Sequence, residues 1–411
     1  MSVDRQADRL GPQPLLPGST VGVLGGGQLG RMMAVVARQM GYRIIVLDPS
    51  PRCPTAQVSD GVVVGALDDV EAAKHLAGQV DVITLDTEHV PADVLRVVEA
   101  IAPVRPNAAV LRTIQDRLVQ KQFLDRIGLP QAAWAPADDV HAALAKVGRP
   151  AILKVRRAGY DGKGQVRIAP SDDPEVLLGR LRGEPAVAEE VVAFTREISV
   201  ILARGLDGQI QIYPVAENVH RNHILHTTRA PAPMPDARRR QAEAMAVSVA
   251  EALEHVGVMA VEMFELADGR LLVNEIAPRT HNSGHYTYGA SATSQFEQHI
   301  RAVCGVPLGD PRLLTGAVMV NLIGDLWGAG NAGSPGEQGG QAGQGTQRAQ
   351  RALVPPAWGE ILARPEARLH LYGKDAPTPG RKMGHVLLLD DDTERALVTA
   401  ESLIATLRSR S

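Results

Sequence analysis

GVMAVEMFELADGRLLVNEIAP, residues 257–278, decides how the rest of the chain is read. Two apolar runs flank Asp268-Gly269, a dipeptide favoured in two-residue hairpin turns. With that turn Ala267 faces Arg270, and counting outward sets Glu262 directly opposite Glu275. Their β-carbons would then stand about 5 Å apart on one face of the sheet. Two facing carboxylates in otherwise apolar strands repel each other and are costly to bury. A divalent cation removes both difficulties, and an all-oxygen site suits Mg²⁺, which commonly recruits phosphate oxygens as further ligands. The alternative is a wet sheet face with both glutamates exposed.

Upstream, AGYDGKGQ (158–165) lies between the strand-like runs AILKVR and QVRIA. Its three glycines let a loop close over phosphates, offering backbone N–H donors and Lys163; an ordinary glycine-rich hairpin would read the same way. Lys154, between Leu153 and Val155, is either a snorkelling edge residue or a phosphate ligand. VGVLGGGQLGRM (21–32) sets Gly25, Gly27 and Gly30 in the G-x-G-x-x-G spacing. Asp48 ends RIIVLD about twenty residues on, where a dinucleotide fold holds its ribose. By itself this predicts an NAD enzyme, but it leaves the acidic hairpin unexplained.

At 411 residues the chain predicts two or three domains. Its formal charge of −3 and pI near 6.5 show no basic footprint for nucleic acid. Cys53 and Cys304 are far apart and outside any C-x-x-C pattern, which argues against a disulfide scaffold and fits a reducing cytoplasm. The first twenty residues hold Asp4, Arg5, Asp8 and Arg9 without an apolar core, so no signal peptide is expected, and no run reaches the length of a membrane span. Residues 20–110 alternate strand and helix (TVGVLG, a helix to Met40, RIIVLD, a helix near 69–77, DVITLD), the pattern of a parallel α/β domain. A helix stopped by Gly128 and Pro130 follows. Closely spaced strands come next, among them REISVILAR and QIQIYPVAENVH, then a helix over roughly 236–256. Residues 328–351 contain no large apolar side chain and predict a flexible surface loop interrupting a last domain that resumes at Trp358.

Taken in order, GGGQLGRM, ILKVRRAGYDGKGQ, AENVH, LLVNEIAPRTHNSGH and LHLYGK…RKMGH resemble the ATP-grasp superfamily and, within it, the N5-carboxyaminoimidazole ribonucleotide synthetase family, from about Val21 to Val386. The resemblance implies a combined α/β and α+β architecture: a Rossmann-like N-terminal (pre-ATP-grasp) domain at 18–112, an ATP-grasp domain at 113–310 with a lid near 132–190, and a small β-rich C-terminal domain at 311–408. It implies carboxylation of 5-aminoimidazole ribonucleotide with ATP, bicarbonate and one or two Mg²⁺, in a cytoplasmic homodimer. Arg117 and Lys154 would contact ATP, with Gly159, Tyr160, Asp161, Gly162, Lys163, Gly164 and Gln165 over the triphosphate. Glu189, Glu190, Val191 and Val192 would border adenine, Glu197 would hold the ribose, and His220 and Asn274 would contact the nucleotide. Glu262 and Glu275 would hold the metal. Arg279, His281 and Asn282 would face the reacting phosphate and bicarbonate, with Asp161 or His281 taking the amine proton. Gly27, Gln28 and Leu29 would meet the ribonucleotide, and Lys374, Arg381 and Lys382 its phosphate. Asp48 becomes a strand-end residue.

Two departures stand out. Ala277 occupies a position where many ATP-grasp enzymes carry an Asn ligand, and the turn after the third expected strand reads Glu88-His89-Val90 where Glu-Asn-Val is usual. The rival readings are another ATP-grasp ligase (a formate-dependent transformylase or a biotin-type carboxylase) and a non-catalytic nucleotide-binding protein.

Overall fold

The computed structural model describes residues 13–157, 159, 164–329 and 353–409. Thr20–Leu24 (β1) is apolar on both faces and wholly buried, as a strand covered by helices on either side must be. It sits in a parallel sheet with Arg43–Asp48 (β2), Gly61–Val64 (β3) and Val82–Leu85 (β4), ordered β3-β2-β1-β4. Three strands were expected here. The fourth, β3, is GVVV, four residues of which none is fully buried, too short to show a period. Gln28–Gln39 (α1) follows the glycine turn. Val70–Ala77 (α2), Ala92–Val98 (α3) and Ala108–Gln115 (α4) complete this region.

Arg117–Arg126 (α5) ends where expected, with Gly128 at φ +70° just before Pro130. Trp134–Pro136 (β5), Ala151–Val155 (β6), Gln165–Ile168 (β7) and Ala186–Glu190 (β8) then form an antiparallel sheet ordered β5-β8-β6-β7. Val140–Val147 (α6) and Pro174–Gly179 (α7) cover it around Leu144, Leu153, Leu177 and Ala188.

The largest sheet contains Phe194–Arg204 (β9), Ile210–Ile212 (β10), Ala216–Arg221 (β11), Ile224–Ala230 (β12), Gly257–Leu266 (β13), Leu271–Ala277 (β14), Ala317–Ile323 (β15), Ala367–Leu371 (β16) and Lys382–Leu389 (β17). Its order is β14-β13-β9-β11-β12-β15-β17-β16, with β10 added beside β9. QIQIYPVAENVH, expected as one strand, is two: Pro214 has no N–H to give a ladder, and β10 and β11 lie on either side of it. The C-terminal strands extend this same sheet through the β12–β15 pair. Asp236–Ala252 (α8) covers one face, with Met245, Ala246 and Val249 against Val200, Leu202, Met259, Val261 and Met263. Because side chains alternate along a strand, Glu262 between Val261 and Met263 is turned to the opposite face.

Gln295–Cys304 (α9) seats the N-terminal sheet: Phe296, Ile300 and Val303 join Val21, Val23 and Met33 in one apolar cluster. A polar rivet runs through this contact. Thr84 Oγ1 donates to the Arg105 carbonyl at 2.8 Å and lies 2.7 Å from His299 Nε2, while the Val258 N–H donates to His299 Nδ1 at 3.0 Å. Trp358–Leu362 (α10) and Thr393–Ser409 (α11) pack near the end of the large sheet. Gly328 and Ala329 pair with Val354 and Leu353; the rest of the expected flexible insert, 330–351, lies outside the described residues. No helix among the described residues is long and apolar enough to cross a membrane.

Candidate active site

Glu262 does stand opposite Glu275, but not by the route the turn predicted. The loop has three residues, Ala267 to Gly269: the Leu266 N–H bonds the Arg270 carbonyl at 2.9 Å, and Gly269 takes φ +83°. That shifts the count by one, pairing Phe264 with Leu272 and Met263 with Val273. A bulge beside Met263 shifts it back. Asn274 is the extra residue, so Asn274 and Glu275 together oppose Glu262, and both are partly exposed where strict alternation would bury one.

Glu262 is only 16% exposed. Burial, reinforced by the Glu275 carboxylate beside it, pushes its pKa up to about 7, although His220 and Lys382 pull the other way. A pair strained in this sense fits a cation: Glu262 and Glu275 are the residues that would hold Mg²⁺, with ligand phosphate oxygens filling the remaining positions. Ala277, at the position of a possible third ligand, is buried opposite Ala260. His281 Nδ1 lies 3.7 Å from Glu262 Oε1 and accepts from the Ser283 N–H at 3.3 Å. Burial, then Arg279 and Lys382, hold His281 well below its ordinary pKa, so the ring is neutral. Asn282 is buried, and neither end of its amide has a hydrogen-bond partner among the described residues.

Arg279 donates through Nε and Nη2 to both oxygens of Glu88, the Nη2 contact at 2.8 Å. Burial alone would raise the Glu88 pKa, but the guanidinium overrides it and holds the carboxyl at about 2. The Glu88-His89-Val90 turn thus finds its role: it orients Arg279.

Across the cleft, Lys154 Nζ donates to Glu189 Oε2 at 2.9 Å, and Lys121 Nζ lies 3.3 Å from the same oxygen. Burial would raise Glu189, yet Lys154 and Lys121 bring it to about 2. Arg117 Nη2 donates to the Gly159 carbonyl at 3.1 Å. A cavity of about 210 Å³ lies between Glu88, His89, Arg117, Arg156, Gly159 and Glu275. The hairpin expected at Lys154 to Gln165 is present: Lys154 pairs with Gln165, and the Val155 N–H reaches the Gly164 carbonyl at 2.8 Å. Tyr160, Asp161, Gly162 and Lys163 lie outside the described residues.

Glu190 turns away from this group, its Oε1 accepting from the Ala133 N–H at 2.8 Å. Val191 and Val192 form the half-buried link to β9, the Val191 N–H 3.4 Å from the Pro150 carbonyl. Glu197 hydrogen-bonds His220 Nδ1 from the neighbouring strand. Burial opposes charge on His220, but Glu197 and Glu262 raise its pKa above the ordinary value.

At the N-terminal glycine turn the acceptor near α1 belongs to the protein. Asp86 Oδ2 accepts from the Gly27 N–H at 3.0 Å and Oδ1 from the Gly30 N–H at 2.5 Å. Asp48 Oδ2 accepts from the Gly26 N–H at 2.8 Å. The two carboxylates that end β4 and β2 therefore fill much of the slot a dinucleotide pyrophosphate would need, and Gln28 and Leu29 offer the helix N–H groups that remain. The late basic residues divide. Lys382 is near enough to Glu262 and His281 to shift both, and Lys374, 5.6 Å from the Tyr372 ring centre, acts on Asp86. Arg381 instead donates to the Ala376 carbonyl at 2.8 Å at the surface.

Sequence reasoning missed Lys121, Asp86 and the Glu88 pairing. Only Lys121 left a signal, as a lysine on the stripe of Gln120, Phe123 and Leu124 that α5 buries.

A small antiparallel sheet carrying Lys154 and Glu189 beside a large sheet carrying Glu262 and Glu275 defines the ATP-grasp class. The ATP-grasp domain family matches residues 122–296, the ribonucleotide synthetase preATP-grasp domain 19–115, and the phosphoribosylaminoimidazole carboxylase C-terminal domain 317–399. The N5-carboxyaminoimidazole ribonucleotide synthase of Brucella melitensis is 44% identical, over 90% of this chain and 96% of its own length. That of Bacillus subtilis is 39% identical over 92% and 93%. A crystal structure of an ADP complex of N5-carboxyaminoimidazole ribonucleotide synthetase superposes with TM-score 0.85 at 39% identity, covering 97% of this chain and 99% of that one. The Aspergillus clavatus enzyme, crystallised with ADP and 5-aminoimidazole ribonucleotide, gives 0.83 at 32%, covering 96% and 99%. The chain belongs to the N5-carboxyaminoimidazole ribonucleotide synthase family.

Proposed function

We propose that the protein carboxylates 5-aminoimidazole ribonucleotide at its exocyclic amine, consuming ATP and bicarbonate and releasing ADP and phosphate. The observation that carries the chemistry is the meeting of Glu262, Glu275 and His281, with Glu275 and Glu88, the partner of Arg279, lining one cavity with Arg117 and Gly159. A bicarbonate oxygen attacks the γ-phosphorus, the bond to ADP breaks, and carboxyphosphate forms. It then breaks down to CO₂ and phosphate, and the amine nitrogen bonds the CO₂ carbon and loses its proton to the phosphate just released. Glu262 and Glu275 would hold Mg²⁺, which when bound would supply charge neutralisation for the phosphoryl oxygens.

The chain's own residues bind and orient. Lys154 and Arg117 hold the polyphosphate, and Glu197 the ribose. Arg279, held flat by Glu88, presents its guanidinium to the transferred group. His281 is neutral with Nδ1 engaged as an acceptor, so its Nε2–H can hold an oxyanion without adding a charge. Gln28, Leu29 and Lys374 receive the ribonucleotide. Closure of the lid keeps water from carboxyphosphate and the carbamate, both of which it destroys.

The test is ADP release with Mg-ATP and bicarbonate, with and without 5-aminoimidazole ribonucleotide. Strong stimulation by the ribonucleotide, lost in Glu275→Ala, is expected. Indifference to the ribonucleotide, with formate or another acceptor restoring turnover, would move the activity to another ATP-grasp ligase.

A further inference from the structure

Lys121 sits where a helix packed on its neighbours would ordinarily carry an apolar residue. It is 3% exposed, on the stripe of α5 that also buries Phe123 and Leu124. Its ammonium meets one carboxylate oxygen, Glu189 Oε2, at 3.3 Å, while Lys154 meets the same oxygen at 2.9 Å. Three separate elements, α5, β6 and β8, thus converge on one atom. Lys154 is the member that reaches the cleft, at 15% exposed, whereas Glu189 and Lys121 lie behind it at about 5% or less.

The charge balance of this triad is uneven. Burial, with Lys154 and Arg117, lowers the Lys121 pKa while Glu189 raises it; with both lysines protonated, two ammonium groups against one carboxylate leave one positive charge, and Arg117 adds to the same field. Burying an ion without its complement is costly, and a second buried lysine contributes nothing to the apolar core around it. With Lys121 present, Glu189 is shared between two cations, and Lys154 keeps part of its charge for a ligand. Without Lys121, Glu189 would neutralise Lys154 fully and draw it back from the cleft.

We propose that Lys121 is a positioning residue for the nucleotide polyphosphate: by sharing Glu189 it sets the orientation and the uncompensated charge of Lys154. This rests on the ATP reading above. The excess charge is complemented when an anion enters the cleft.

The experiment compares ATP, ADP and adenosine affinity by calorimetry or competition, and kcat at saturating ATP, in wild type, Lys121→Met, Lys121→Arg and Lys121→Met/Glu189→Gln. ATP and ADP binding should weaken about tenfold in Lys121→Met, with adenosine affinity and kcat changed less than about threefold. Lys121→Arg should restore binding. The double variant should bind ATP more tightly than Lys121→Met, because Lys154 is no longer neutralised. A folded Lys121→Met that binds ATP like wild type, an equal loss for adenosine, or a double variant no tighter than the single one would overturn the assignment. If Lys121→Met does not fold, a double variant weaker than Lys121→Arg by more than tenfold would do the same. Wild type that binds no ATP would instead overturn the functional reading on which it rests.

Discussion

Glu262 is the residue at which folding and function pull in opposite directions. Its folded carboxyl keeps its proton up to about pH 7, against an ordinary value of 4.5. A carboxyl raised in this way stabilises the fold below pH 4.5 and loses that stability as pH rises through 7. Above pH 8 the loss is roughly 3 kcal/mol for the metal-free protein. Melting temperatures of metal-free wild type and Glu262→Gln should therefore diverge between pH 5 and 8.5, the variant gaining on wild type toward the alkaline end, and Mg-ATP should remove the wild type's relative deficit there. Parallel curves would mean that the two carboxylates are better solvated than their burial implies. Glu275→Ala removes the other half of the pair, and activity should drop by three orders of magnitude or more, about 4 kcal/mol of transition-state stabilisation. Glu88→Gln is subtler: it leaves Arg279 without its charged partner, so kcat should drop at least tenfold while the KM for ATP stays within about threefold. A KM rise with normal kcat would place Arg279 in nucleotide binding instead. The glutamate pair was legible because two acids in apolar strands are conspicuous. Glu88 was not, since its partner lies 191 positions away.

At the scale of the element, the acidic hairpin shows how a correct expectation can rest on a wrong local geometry. A two-residue turn was expected; the loop has three residues, and the bulge at Asn274 cancels the offset. Asp-Gly signals a turn strongly, but the sequence carries nothing that fixes its length, and bulges leave no periodic mark. Deleting Ala267 would leave Asp268-Gly269 as a two-residue turn between Leu266 and Arg270, which already pair. That variant should fold with the same register and keep near-wild-type activity. Deleting Asn274 keeps the two glutamates opposed but removes the amide beside them, so Mg-ATP affinity should fall about tenfold with the fold intact. If deleting Ala267 destroyed activity in a folded protein, the register described for this hairpin would be wrong. The N-terminal glycine turn shows the reverse case. Its spacing predicted an NAD enzyme, but the group that the turn's N–H donors serve is Asp86, just past the end of a strand and 56 residues beyond Gly30. A methyl added at Gly27 would meet Asp86 Oδ2 at 2.5 Å, which explains the glycine without a cofactor.

Across the whole molecule, the three segments are joined by buried histidines rather than by apolar contact alone. His299 links the N-terminal sheet to β13 through Thr84 and Val258, and His255 lies 3.1 Å from the Val258 carbonyl. His285, His370 and His385 form a cluster in which His370 and His385 stack 4.5 Å apart, bridging the segment after the acidic hairpin to the C-terminal strands. Burial lowers His255 and His370 to about 4 and His285 and His299 to about 3. Such groups are neutral when folded and take up protons when unfolded, so the stability they confer is present above pH 6.5 and is lost as pH falls below it. At pH 5 each contributes about 2 kcal/mol of destabilisation, and four together approach the total stability of a typical domain. The histidines were ordinary polar residues in the sequence, since a side chain's burial depends on which distant elements close over it. The structure predicts a cooperative loss of melting temperature between pH 6.5 and 5, with the N-terminal region and the large sheet melting together. His299→Gln leaves a neutral side chain at the rivet. It should lower stability at pH 8, where the imidazole bridges two partners, yet narrow its deficit against wild type as pH falls toward 5. Calorimetric scans across that range measure both. A deficit that stayed constant with pH would show that His299 takes up a proton in the fold as readily as in the unfolded chain, so that the seat between the sheets is not the neutral contact described here.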